Sequence, residues 1–190
     1  MAFSGCRDLK TFQLNEGIQE VGWLCLQAAG VPELQLPPQA GKTREQLGLD
    51  QRDPKVLRLP DGLEEVGDRW FAGSDIERLV VSSGVRELGA RAFAECRRLR
   101  EVVFESGSRL ERIGDHCFHY GGLRSVAIPR SVRVIDRGAF ADCTELSSLS
   151  IDDGSRLQRV GGGSFFRTQI SPEAVKRLET LTGTSSEFWM

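Results

Sequence analysis

Two apolar positions separated by one residue recur along this chain, at Phe12/Leu14, Leu34/Leu36, Leu57/Leu59, Leu79/Val81, Val102/Phe104, Val126/Ile128 and Leu149/Ile151. The second members stand 22, 23, 22, 23, 24 and 23 residues apart. A spacing of two puts both side chains on one face of a short strand and turns the residue between them to the other face. After most pairs comes a polar turn and a second apolar pair, at Ile18/Val21, Leu63/Val66, Val85/Leu88, Leu110/Ile113, Val132/Ile135 and Leu157/Val160. An aromatic follows at Phe71, Phe93, Phe118, Phe140 and Phe165, with Leu26 in that place in the first turn. Self-similarity at this period predicts a solenoid.

A segment of this length cannot bury its apolar set alone. Each must therefore stack on the next, with strands pairing in parallel roughly 4.8 Å apart. Seven such turns make a rod or arc roughly 30 Å long. Leu, Val and Ile ladders are expected on the strand side, and the phenylalanines are expected to form an aromatic spine on the opposite wall.

The motif Ala-Phe-x-x-Cys-x-x-Leu occurs at Ala92–Leu99 and again at Ala139–Leu146. With the segment Val126–Ile135 and the insertions Gly107–Leu110 and Gly154–Leu157, it resembles the BspA-like leucine-rich repeat, over roughly Ala2 to Phe166. The resemblance implies a right-handed solenoid with a parallel sheet on its concave face and a mostly irregular or short-strand convex side. It also implies a protein that adheres to other proteins, often at a cell surface.

The expected organisation is one domain: a solenoid over 1–170 with an irregular turn at 31–54, a capping helix over 171–183 and a tail over 184–190. The second turn keeps its strand pair but has Pro37-Pro38 and a polar run in place of the Phe-x-x-Cys part. Ala2–Leu9 reads as the second half of a repeat. Ser171-Pro172-Glu173 supplies an N-cap, a proline at the first helical position and an early acid, while Val175, Leu178 and Leu181 share a face and Gly183 supplies a stop. The start has no comparable cap, which leaves Phe3, Phe12 and Trp23 near an open edge suited to association.

Composition narrows the class. Lys+Arg number 25 and Asp+Glu 27, and no basic cluster is interleaved with aromatics, which argues against a nucleic-acid partner. No apolar run approaches the roughly 20 residues that span a bilayer. Met1–Asp8 carries no apolar signal core, so the chain as written is expected inside the cell, and at the surface or secreted if sequence precedes Met1.

Candidate chemistry is sparse. Cys6, Cys96 and Cys143 share one repeat position and Cys25 and Cys117 another, a spacing that suits core packing and not a metal site. His116 and His119, beside Asp115 and Tyr120, are expected on the solvated outer wall. Gly41-Lys42-Thr43 ends like a phosphate-binding loop, but Leu36 stands where its first glycine belongs. No catalytic, cofactor or metal site is expected.

The concave face is left as the candidate site. Its central column is Gln13, Gln35, Arg58, Val80, Val103, Ala127 and Ser150. Val80, Val103 and Ala127 form an apolar strip, with Arg58, Arg78, Arg100, Glu101 and Arg124 around it. Apolar anchors and arginine recur in interface cores, although valine also simply favours strands. The expected function is a non-catalytic module, a scaffold binding a protein or peptide on this face. The alternative is a structural block of a larger assembly that associates through its uncapped N-terminal edge.

Overall fold

The computed structural model describes Phe12–Gln13, Leu34–Gln35 and residues 55–59 and 61–188. The irregular turn expected over 31–54, apart from its strand, and the open N-terminal edge lie outside the described residues.

Strands form at all seven positions given by the first apolar pairs. They are β1 (Phe12–Gln13), β2 (Leu34–Gln35), β3 (Val56–Arg58), β5 (Arg78–Val81), β7 (Glu101–Phe104), β9 (Ser125–Ile128) and β11 (Ser148–Ile151). The second apolar pairs end in two-residue strands: β4 (Glu65–Val66), β6 (Glu87–Leu88), β8 (Arg112–Ile113), β10 (Val134–Ile135) and β12 (Arg159–Val160). β1 and β2 pair with each other, Phe12 opposite Leu34. The others make two five-stranded sheets, a main sheet β3-β5-β7-β9-β11 and a second sheet β4-β6-β8-β10-β12. Every pairing is parallel, between strands one repeat apart, so like positions meet: Leu57 opposite Leu79, Leu79 opposite Val102, and Val126 opposite Leu149.

The core lies between the walls. Leu57, Leu59, Leu79 and Val81 from the main sheet and Val66, Leu88 and Ile113 from the second are fully buried. Phe71, Phe93, Phe118, Phe140 and Phe165 stack in order, with centroids 5.2 to 5.5 Å apart and planes within 8 to 11°. That offset stacking contributes about 0.5–1.5 kcal/mol per pair beyond the burial of the rings. The spine ends at Phe165. Phe166, which the sequence places beside it at the close of the ladder, is 49% exposed and lies under the Arg167 guanidinium at 5.5 Å.

The third wall carries the phenylalanines and, among the described residues, has no strands. Its alternate residues donate forward to the next turn: Arg69, Phe71 and Gly73 to the carbonyls of Ala90, Ala92 and Ala94, and His116, Phe118 and Tyr120 to those of Arg137, Ala139 and Ala141. The residues between bond backward within their own turn, as Trp70 does to Gly67 and Ala72 to Arg69. Two columns of left-handed backbone make this alternation possible. One is Arg69, Arg91, His116, Gly138 and Gly163; the other is Gly73, Glu95, Tyr120, Asp142 and Arg167. A non-glycine residue in this conformation is strained by roughly 1–2 kcal/mol, so the turn-to-turn bonds must hold seven side-chain-bearing residues there.

Buried thiols complete the ladder. The Sγ of Cys96 donates to the Phe71 carbonyl at 3.2 Å, and that of Cys143 to the Phe118 carbonyl at 3.1 Å. Cys117 is wholly buried at the position held by Ala92 and Ala139 in neighbouring turns.

Helix α1 (Pro172–Thr182) covers the last turn. The Ser171 side chain accepts from the Ala174 N–H at 3.3 Å, and left-handed Gly183 donates to the Glu179 carbonyl at 2.8 Å. Ala174 and Leu178 are buried, and the helix packs on β11 and β12. Beyond it a short 3-10 turn, Ser186–Phe188, folds back, and the Ser186 N–H donates to the Glu179 carboxylate at 2.8 Å.

Two outcomes are expected in urea unfolding. Phe118→Ala, at the middle of the spine, should lower the unfolding free energy by about 3–5 kcal/mol. Gly163→Ala meets only the left-handed φ of 65°, with nothing within 4 Å of the added carbon, whereas at Gly138 the added carbon would lie 2.7 Å from the His116 ring. Gly138→Ala should therefore destabilise more than Gly163→Ala, and removing the ring in a His116→Ala background should bring the two costs together.

Candidate functional site

The outward face of the main sheet holds the candidate residues named from the sequence. Alternation along each strand positions them: Leu57, Leu79, Val102 and Val126 point into the core, so Arg58, Val80, Val103 and Ala127 point out. Arg58 and Val80 stand opposite each other, as do Val80 and Val103, and Ala127 and Ser150. Val80 and Val103 are half-buried, and Ala127 and Ser150 are exposed. The strip is therefore shallower than an outward-facing column would suggest, because in-register valines on adjacent parallel strands shield one another. Val56, one column aside, is 41% exposed and extends the apolar surface. Nothing in the sequence pattern marks it out beyond its neighbours.

The arginines around the strip are already paired. Arg58 donates to Glu105 at 2.8 and 3.1 Å and to Asp61 at 3.1 Å. Those hydrogen bonds, with Asp61 the larger influence, raise its pKa. Arg78 meets Glu101 at 3.0 Å across β5 and β7. Arg100 and Arg124 both reach Glu145, at 2.7 and 3.0 Å, and hydrogen bonds first from Arg124 and then from Arg100 hold the Glu145 carboxyl below the usual carboxylate range. Arg58–Glu105 and Arg100–Glu145 each span two turns and cross the strand between. Glu105 and Glu145 were not among the candidates, because residues 47 and 45 positions apart give no local signal.

The histidines are less exposed than a solvated wall would make them. Their side chains are 22% and 27% exposed, with the rings edge to face at 5.1 Å. The Nδ1 of His116 lies 2.7 Å from the Asp115 carboxylate, and the Nε2 of His119 lies 3.4 Å from that of Asp142. Burial, and secondarily the charge of His116, lower the pKa of His119 against the opposing pull of Asp142. No group of three His, Cys, Asp or Glu residues able to hold a metal occurs among the described residues. The buried thiols are poor nucleophiles, since burial pushes Cys117 well up and Cys143 to about 12. Cys6 and Cys25 lie outside the described residues. No described helix is long and apolar enough to cross a membrane.

Parallel turns in register, an inward apolar pair on each strand and a phenylalanine spine define a leucine-rich-repeat solenoid. The family model for the BspA type leucine rich repeat region matches six copies, over residues 1–86 and 64–182. The chain belongs to this family, whose membership points to a protein-interaction or structural role and whose members are generally non-catalytic. Among solved structures, a leucine-rich repeat protein from Bacteroides ovatus ATCC 8483 is similar with a TM-score of 0.58 at 21% identity, over 90% of this chain and 44% of that one. The pneumococcal vaccine antigen PcpA is similar with a TM-score of 0.56 at 20% identity, over 62% of this chain and 33% of that one. The chain thus spans under half the length of these structures, and the likeness is one of fold. None of the curated proteins matches the chain.

Because the lowered pKa of His119 lies below its unfolded value of about 6.5, the unfolded chain takes up the proton first as the pH falls. Stability contributed by the neutral ring is present above that pH and is lost as the pH falls from there toward the folded value. His119→Gln should flatten the dependence of urea midpoint on pH in that window, and an unchanged slope would assign the dependence to other groups.

Proposed function

We propose that the chain is a non-catalytic interaction module that binds an extended protein or peptide segment along the main sheet. The observation that carries this reading is a strip of Val80, Val103 and Ala127 on adjacent parallel strands, with Val56 one column aside, set among charges that already satisfy one another. Such a surface offers apolar contact without a large net field, so it suits a partner with apolar anchors and a mixed-charge rim. Arg58, Arg78, Glu101, Arg100 and Arg124 then act less as free cations than as a fixed border. Their ion pairs, exposed and individually weak, can be exchanged for a partner's charges at small cost.

The reading is tested by selecting displayed random peptides on the immobilised chain alone and then measuring their affinity for a Val80→Glu/Val103→Glu variant. Peptides so obtained should lose at least about tenfold in affinity on that variant, since a carboxylate buried against an apolar anchor goes unpaired. They should keep wild-type affinity on Val134→Glu, which places the same charge on the second sheet. Ala127→Arg, at an exposed position, should also weaken binding without moving the melting temperature. Peptides that bind all four proteins alike would remove the main sheet from consideration.

A further inference from the structure

The second sheet ends in a cleft that the main-sheet reading does not use. It is an open cleft of about 400 Å3, lined by three arginines, Arg112, Arg137 and Arg159, and two carboxylates, Asp115 and Asp136, with Gly161 and Gly162. The repeat register explains its chemistry. Counting two residues on from the paired Val66, Leu88, Ile113, Ile135 and Val160 gives one column of equivalent positions: Asp68, Ala90, Asp115, Arg137 and Gly162. At the first step of this column the Asp68 carboxylate accepts from the backbone N–H of Ala90 at 2.6 Å. The N–H at this place can thus take a carboxylate oxygen from the preceding turn, although at the step from Asp115 to Arg137 it does not, because Asp115 turns to His116.

The last step has the same N–H and no such carboxylate. Arg137 stands where Asp68 stood, and among the described residues neither the Gly162 N–H nor the Arg137 guanidinium has a protein partner. Both carboxylates that line the cleft are committed elsewhere. Asp136, nearly buried, accepts from Arg112 Nε and from Arg159, both at 2.6 Å, and Arg112 is shared again with Glu87 at 3.3 Å. Asp115 is turned to His116 at 2.7 Å. Asp136 therefore holds Arg112 and Arg159 beside the cleft, while Arg159 keeps donors beyond the one it gives to Asp136 and Arg137 keeps all of its own.

We propose that this cleft binds a carboxylate or phosphate oxyanion, one oxygen on the Gly162 N–H and the others shared by Arg137 and Arg159. The proposal is independent of the main-sheet reading, because the residues lie on the other sheet.

The test is a titration of the full chain, labelled with nitrogen-15, with inorganic phosphate and separately with succinate, at constant ionic strength. The Gly162 amide should shift saturably with one or both anions, and which of them saturates identifies the group recognised. Arg137→Asp puts a carboxylate in place of the guanidinium, at the position Asp68 holds in the first step. It should abolish both responses while leaving the remaining amide spectrum in place. Arg137→Gln removes only the charge and serves if the first variant does not fold; it should weaken binding about tenfold or more. Absence of a saturable Gly162 shift with either anion, or a shift that saturates at the wild-type concentration in the folded Arg137 variants, overturns the site.

Discussion

The structure depends on backbone hydrogen bonds passed from each turn to the next, one repeat further along the chain. In the two sheets and again in the third wall, a peptide group finds its partner in the equivalent peptide group of a neighbouring turn. Stacking at a fixed strand spacing then forces like onto like, and a small mismatch of volume is felt by the neighbours on both sides. Phe71 through Phe165, Leu57 opposite Leu79, and the Cys96 and Cys143 thiols on the carbonyls of the preceding turn all follow from that one rule. No turn has a core of its own, so stability is a property of the stack.

What was legible in the sequence is what repeats. The period gave the strand positions, the inward pairs and the aromatic spine, because burial acts on every turn alike and leaves an apolar residue each time. The capping helix was legible because Ser171, Pro172 and Gly183 carry their meaning locally. The left-handed columns were not, since Arg69, Arg91, His116, Glu95, Tyr120, Asp142 and Arg167 hold positions where glycine would have been the signal. Turn-to-turn bonding holds those conformations, and a one-dimensional reading does not see it.

Legibility of the main-sheet face stopped at the same kind of boundary. Alternation identified which residues leave the core, from Arg58 to Ala127. It could not show that Val80 and Val103 half-shield each other, nor that Glu145 joins Arg100 to Arg124. Those outcomes turn on side chains brought together across turns, where charge partners stand about twice the repeat apart. The arginines of the rim are closed pairs, so the face carries little free charge.

The third wall has one further consequence. Its forward-donating N–H groups all face the C-terminal end of the stack, and the carbonyls that receive them all face the start. In the sheets successive peptides alternate and their dipoles largely cancel, whereas here the aligned peptides add, as they do along a helix. The wall is therefore an electrical dipole along the stacking axis, although its chain runs across that axis. Its positive end lies in the turn that contains Gly162, so lengthening or shortening the solenoid would alter the field at that end without changing a residue there.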